Sequence, residues 1–305
     1  MLHYIWRRIR TVPITLFLLM LLAFVMLRVT GDPVEIYLGI EGTPEQAKVL
    51  TEKLHLDRPL AVQFLYFLGD VVRGDFGESL RFGGDVVPII MERLGPTLQL
   101  MLAGVGLAVG LGVLLGIVCA IYKDSVLDFL ISSFAIFGQS MPSFWLGILL
   151  IQVFALNLGW LPTSGIGGPE NLILPAVTLG MFLMPNFIML TRASFLETMR
   201  EQYVITARAK GMTDAKLLWK HVLPNAISPI VTYLGLQVGR LFGGSVITET
   251  IFAWPGIGRL MISSIFQRDV PVVIATLFFV CIVIIVCNLL VDIVNSLIDP
   301  RIRLE

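Results

Sequence analysis

Long uncharged runs alternate along this chain with short charged segments. Six runs reach the scale of roughly 20 apolar residues that a helix needs to cross a bilayer: Thr11–Val29, Thr97–Ile121, Leu130–Leu158, Leu172–Thr191, Ala226–Thr248 and Val272–Val294. The pattern predicts an all-α integral membrane protein with six transmembrane helices. In the third run GQSMPSFWLG interrupts the apolar stretch. Pro142 removes a backbone donor there, so this span is expected to kink or to begin later. Gly106 and Gly110, and again Gly112 and Gly116, place small residues one turn apart on the second span, which permits close helix packing. A different pattern fills 30–96. Leu60, Phe64, Leu65, Phe67, Leu68, Val71 and Val72 recur at helical spacing, which predicts one or two short amphipathic helices lying on the membrane or packed over the spans.

Composition sharpens this reading. The chain has 305 residues, 56% hydrophobic and 14% charged, against about 25% charged in a soluble domain. Mean hydropathy is +0.86. The formal net charge of zero leaves no footprint for nucleic acid. Lys and Arg orient the spans. Arg7, Arg8 and Arg10 precede the first, Lys123 follows the second, and Arg301 and Arg303 lie in the tail. Segment 192–225 holds six Lys or Arg against three acids, while the loop GWLPTSGIGGPEN holds neither Lys nor Arg. With six spans, the basic segments fall on one side, which places both termini in the cytoplasm. The chain then divides into 1–29, the N-terminus and first span; 30–96, a loop on the outer side; and 97–305, a core of five spans. LRVTGDP offers no A-x-A cleavage pattern, so the first run reads as an uncleaved span rather than a signal peptide.

The sequence contains no G-x-x-x-x-G-K-[ST], no H-E-x-x-H and no G-x-S-x-G. His3, His55 and His221 are far apart, and Cys119, Cys281 and Cys287 sit in apolar runs without ligand spacing, so no metal site is expected. An intramembrane enzyme has no catalytic constellation to use. The second, third and fourth runs contain no ionisable Asp, Glu, Lys, Arg or His; the fifth contains Arg240, and the sixth Asp292 near its end. Ion-coupled carriers commonly place acids or histidines within their spans. A proton relay has little to run on here, and the energy for any pumping is expected from a partner.

Segment 203–225, YVITARAKGMTDAKLLWKHVLPN, stands apart with five Lys, Arg or His residues between two apolar runs. Gly211 costs about 1 kcal/mol relative to Ala inside a helix and reads better as a break. Thr213 or Asp214 then caps a second helix, and Pro224 stops it. Leu217, Leu218 and Val222 make one face of that helix, joined on this reading by Trp219; Lys216, Lys220 and His221 lie on others. So short a helix must pack on something, either anionic headgroups or a cytoplasmic partner.

These residues carry a resemblance. TARAKG at Thr206–Gly211, followed by HVLPNA at His221–Ala226, resembles the cytoplasmic-loop signature of permease subunits of ATP-driven (ABC) importers. That signature reads E-A-A, three residues, Gly, then I-x-Leu-Pro after a short gap. Ala207, Gly211, Leu223 and Pro224 match, whereas Thr206 replaces the first alanine and Ile205 the glutamate. The peptide branch commonly reads Y-x-x-T-A-R-A-K-G, so the departure points to a subfamily. GDP at 31–33, RGDFGESL at 73–80, PSFWLGILL at 142–150, LGWLPTSG at 158–165, TRASFLE at 191–197, GGSVITETIFAWPGIGRL at 243–260 and DPRIR at 299–303 resemble the same class. That class comprises the dipeptide, oligopeptide, nickel and glutathione importer permeases, and the matches run in order over essentially the whole chain.

The resemblance implies a type I importer permease in the bacterial inner membrane, with a periplasmic loop after the first span and coupling helices at 203–224. It implies a second homologous permease, two ATPase subunits holding ATP and Mg, and a periplasmic or lipid-anchored binding protein; no cofactor is expected in this chain. Thr206, Ala207, Arg208, Ala209, Lys210, Gly211, Leu223 and Pro224 are the expected ATPase-coupling residues. Gly211 is either a hinge or a plain C-cap glycine. The pathway candidates are Arg240, Gln237, Gln139 and Asn186. Arg240 lies mid-span, where it meets a substrate carboxylate or pairs with a neighbouring span. Gln139, Ser140 and Asn186 stand next to prolines; they line the pathway or satisfy backbone groups freed by a kink. Glu249, Trp254, Pro255 and Gly256 build an outer gate or binding-protein contact, or shape a turn. The expected function is half of a translocation pathway for short peptides or a related small solute. The alternative is a self-contained ion-coupled carrier or channel. Dipeptides, oligopeptides, glutathione, nickel chelates and haem are all open as substrates.

Overall fold

Helical spacing becomes helix almost throughout. The computed structural model describes the backbone of residues 2–30, 34, 43–53 and 55–298; side chains are described there except at 2–9, 27–30, 46, 50, 53, 238–240, 291–292 and 294–298. The helices are α1 (Leu2–Thr30), α2 (Pro44–Lys53), α3 (Leu60–Arg73), α4 (Val86–Ile121), α5 (Val126–Ser140), α6 (Ser143–Leu150), α7 (Glu170–Thr198), α8 (Gln202–Ala209), α9 (Asp214–Leu217), α10 (Leu223–Ile251), α11 (Ile257–Phe266) and α12 (Val270–Ile298). Wider π-helical turns continue α6 over Ile151–Asn157 and α9 over Leu218–Val222. Among the described residues the one β pairing is a bridge between Glu78 and Asp85.

Three described helices are long and apolar enough to cross a membrane unbroken: Val86–Ile121, Glu170–Thr198 and Val270–Leu290. Two further stretches reach that length only as bent pairs, Val126–Ser140 with Ser143–Asn157 at 106° and Asp214–Gln237 with Leu241–Ile251 at 61°. The six-span count thus also needs α1, whose described apolar part is Arg10–Met26. The third run breaks outright instead of kinking. Met141 lies in the extended region (φ −80, ψ 130) because a residue preceding proline is disfavoured in the α region, and Pro142 then starts α6. The second run begins earlier than its apolar composition suggested, since α4 starts at Val86 and carries Pro96 inside it.

One compact unit comprises Met1–Leu94 and Leu260–Ile285. In it the amphipathic α3 packs on α1. Phe64 meets Phe17 and Phe24 edge-on at 5.6 and 5.3 Å, and Phe67 lies 5.9 Å from Phe24. Segment 73–81 is tied to the start of α12 by Asp269. This fully buried carboxylate accepts from Ser79 Oγ (2.5 Å), Leu80 N (3.3 Å) and Arg81 N (3.2 Å).

The other unit comprises Gly95–Arg259 and Val286–Glu305. Its centre is α7, which packs against α5, α6 and α10 and buries Leu179, Leu183, Phe187 and Ile188. α4 approaches α7 through small residues. A Cβ on Gly112 would stand 2.6 Å from Phe187 Cβ, and one on Gly116 2.6 Å from Thr191 Cβ. Gly106 and Gly110 meet nothing within 4 Å, so that glycine pair does not make the contact. The contacting stripe is Gly104, the buried Ala108, Gly112 and Gly116, spaced four residues apart on one face.

Candidate functional site

The basic segment folds as two short helices that meet at Gly211. α8 ends in a cap where Gly211 N donates to Arg208 O (3.0 Å) and Met212 N to Ala207 O (3.3 Å). Gly211 takes φ +80, the left-handed conformation that this cap requires. The C-cap reading of Gly211 therefore holds as geometry. Thr213 occupies the cap position of α9, but its side chain makes no capping hydrogen bond. An exposed ion pair, Arg208 to Asp214 at 3.4 Å, spans the turn and contributes little in water.

Pro224 does not stop the second helix. The π-helical turn lets Leu223 N donate to Leu218 O, five residues back, and Pro224 falls in the first turn of α10 directly after it. Asn225 Nδ2 donates to His221 O at 2.8 Å beside it. α9 is thus continuous with the long helix α10.

One face of this element is buried. Val204, Leu217 and Val222 form a cluster with Ala120 of α4, Phe195 of α7 and Ala226 of α10, and Leu218, Leu223, Ala207 and Met212 pack against it. Trp219 does not join that face; it is 70% exposed. Beside that face, with Ala207 and Met212 bordering both, the element opens into a cleft of about 740 Å³ also lined by Tyr203, Thr206, Lys210, Gly211, Thr213, Lys216 and His221. Of the expected coupling residues, Thr206, Ala207, Lys210 and Gly211 share the cleft, Arg208 and Ala209 are exposed, Leu223 is half-buried and Pro224 exposed. Burial, reinforced by the Glu201 carboxylate, pushes the Tyr203 phenol above its ordinary pKa. The protonated hydroxyl donates to His221 O at 3.5 Å.

The pathway candidates are only partly brought together. Gln139 Nε2 donates to Asn186 Oδ1 at 3.0 Å, next to the α5/α6 break. Ser140 Oγ donates back to Ile136 O (3.0 Å) within its own helix. Gln237 is buried, 4% exposed. The side chain of Arg240 lies outside the described residues.

Glu249 is fully buried in the last turn of α10. Its carboxylate accepts from Thr97 Oγ1 (2.8 Å) and Arg259 N (3.0 Å), while Thr97 Oγ1 accepts from Ile257 N (2.8 Å). Trp254 Nε1 donates to Pro96 O at 2.9 Å, and Gly256 packs so closely on the Glu249 carboxylate that a Cβ would clash. These contacts shape the turn.

Sequence reasoning missed one polar node. Arg192 of α7 donates to Asp128 of α5 from Nε (2.8 Å) and Nη2 (2.7 Å), across 64 residues of sequence. Both charges lie just outside the apolar runs, in the flanking segments. The available signal was that these opposite charges sit at run ends on the same predicted side.

Comparison with known proteins now decides the family. The chain matches the binding-protein-dependent transport system inner membrane component over residues 112–304, and the N-terminal membrane component of the same systems over residues 1–101. It belongs to this family. The permease is 40% identical over 304 residues to the glutathione transport system permease protein GsiC of Escherichia coli (strain K12), covering 99% of each chain. Its identity to the GsiC protein of Shigella flexneri serotype 5b (strain 8401) is 39% over the same coverage. An inward-facing structure of the MetNI methionine ABC transporter shares the fold, with a TM-score of 0.60 at 17% identity, over 69% of this chain and 96% of that one.

The permease is therefore a multi-pass inner-membrane subunit of an ATP-driven importer with the type I permease fold, in the class that the ordered motifs resemble. It is the transmembrane component of such a system rather than its enzyme, and membership implies ABC transporter partners in general. A self-contained ion-coupled carrier is not favoured.

Proposed function

We propose that this permease forms half of the translocation pathway for glutathione or a short peptide, and that 202–224 is the coupling element through which ATPase subunits drive it. The observation that supports the coupling reading is the two-sided build of the element. Its inner face is fixed to the ends of α4, α7 and α10 by one buried cluster, and its outer face opens as a cleft with Ala207 and Gly211 in it. A stiff element transmits displacement better than a loop, and a small residue in the cleft leaves room for a ridge of the ATPase.

On this reading two ATPase subunits hold ATP and Mg beneath the membrane, a second permease completes the pathway, and a periplasmic or lipid-anchored binding protein delivers substrate. Both termini are cytoplasmic, and residues 30–96 are periplasmic. Gln139, Asn186, Gln237 and Arg240 line the pathway, and the turn bearing Glu249, Trp254, Pro255 and Gly256 faces the binding protein as the outer gate. Glutathione leads the substrate class because the relatives at 40% identity are glutathione permeases.

The test is co-purification of the tagged permease with its genomic neighbours, followed by uptake in proteoliposomes. Gly211→Val is expected to keep the second permease, lose the ATPases and lose uptake, because valine is strained at φ +80. Wild-type ATPase retention and uptake by that variant would overturn the coupling reading. Absence of ATP-dependent uptake of both glutathione and dipeptides by the wild-type complex would overturn the substrate class.

A further inference from the structure

We propose that Asp128 and Arg192 are positioning residues for transport: their ion pair passes displacement of the 202–224 element to α5, the first half of the broken span. The inference rests on the coupling reading above.

The pair is built to fix orientation as well as distance. Arg192 grips Asp128 with two parallel hydrogen bonds of 2.8 and 2.7 Å, one to each carboxylate oxygen. Asp128 is 4% exposed and also accepts from Asp124 N (3.1 Å) and Ser132 Oγ (3.3 Å). Ser125 Oγ accepts from Asp128 N (3.3 Å), so the carboxylate sits in the capped first turn of α5. The anchor on α5 is therefore its most constrained turn.

The partner residue sits next to the coupling element. Phe195 and Leu196 follow Arg192 within one helical turn of α7, and both belong to the packing that holds Val204, Leu217 and Val222. The same end of α7 thus contacts both the coupling element and α5. α5 is attached to α7 a second time, and differently. Near the break, Gln139 Nε2 reaches Asn186 Oδ1 through one neutral, exposed hydrogen bond. Such a bond exchanges readily with water, whereas a paired buried charge does not.

Besides its packing on α7, α5 therefore has one strong and one weak polar attachment to it. A shift of the element moves the end of α7 and the start of α5 together. The Gln139–Asn186 contact is the one that yields, beside the 106° break, where Ser140, Pro142 and Trp145 border a cleft of about 400 Å³. The ion pair acts through α5, without touching substrate.

The experiment uses the complete importer, with second permease, ATPases and binding protein, in proteoliposomes. ATP hydrolysis and substrate uptake are read in the same vesicles for wild type, Asp128→Asn, Arg192→Gln, Arg192→Lys, the swap Asp128→Arg with Arg192→Asp, and Gly211→Val. The single variants are expected to assemble and hydrolyse ATP, yet to move about fivefold less substrate per ATP, and the swap to recover most of that ratio. Parallel loss of assembly, hydrolysis and uptake at an unchanged ratio would mark a purely structural pair and overturn the inference. A swap as poorly coupled as the single variants would also overturn it. If the neutral variants do not assemble, Arg192→Lys decides, since it keeps the charge without the fork: a lowered ratio supports the inference and a wild-type ratio overturns it. Gly211→Val separates the two readings. If that variant keeps its ATPases and couples normally, the coupling reading itself falls. If it loses them while the Asp128 and Arg192 variants keep the wild-type ratio, only the present inference falls.

Discussion

The two ends of α10 are held in opposite ways. At one end the turn after Ile251 satisfies its polar groups internally: Glu249, Thr97, Ile257 N, Arg259 N, Trp254 Nε1 and Pro96 O bond one another, and Glu249 and Trp254 are buried. At the other end the 202–222 element buries an apolar face but leaves its basic and hydroxyl groups at an open cleft, with one exposed ion pair across its turn. The first region carries the reasons for its shape within itself. The second has a fixed inner face and, among the described residues, an open cleft beside it. On the coupling reading proposed above, that contrast separates a shape made by folding from a surface that the ATPase completes.

Four substitutions break or sharpen the comparison. The largest effect is expected from Trp254→Ala, which removes a 1%-exposed indole and its hydrogen bond to Pro96 O. Truncation of a buried Trp costs about 3–5 kcal/mol, so the melting temperature in detergent and the membrane abundance should both fall. A wild-type melt would mean that the turn does not support itself. Thr97→Val comes next. It leaves Ile257 N–H unpartnered and takes one donor from Glu249, for a loss of about 1–3 kcal/mol by the same melt.

Gly211→Val is expected to cost less in stability than in partner retention. A Cβ there has open space, and the penalty is the positive φ alone, about 1–2 kcal/mol. The smallest effect on folding is expected from Trp219→Ala, within about 0.5 kcal/mol, because the side chain is 70% exposed. Its informative readout is ATPase retention on co-purification, which should weaken. Full retention would remove Trp219 from the docking face and narrow that face to the cleft.

Much of this was legible from pattern. The apolar runs became helices, the amphipathic stretch after residue 56 became α3, and the break at Gly211 fell where the glycine stood. Periodicity reports which face is apolar, but not what that face meets. Trp219 therefore looked like part of the buried face and proved exposed, and Gly106 and Gly110 looked like packing glycines although Gly104, Gly112 and Gly116 make the contacts. Pro224 looked like a stop because a proline lacks an N–H, yet it stands in the first turn of α10, directly after a π-helical turn.

The sequence by itself determined what each segment could be: helix by spacing, membrane-embedded by the absence of charge, and importer permease by ordered short motifs. Those properties are local, since each is decided within one or two helical turns or one short motif. Tertiary structure alone decided which polar groups meet. Asp128 finds Arg192 across 64 residues, Ser79 finds Asp269 across 190, and Thr97 finds Glu249 across 152. Each of these carboxylates is buried, and a buried carboxylate needs partners wherever the fold can bring them. No spacing rule along the chain can name a partner that only packing supplies.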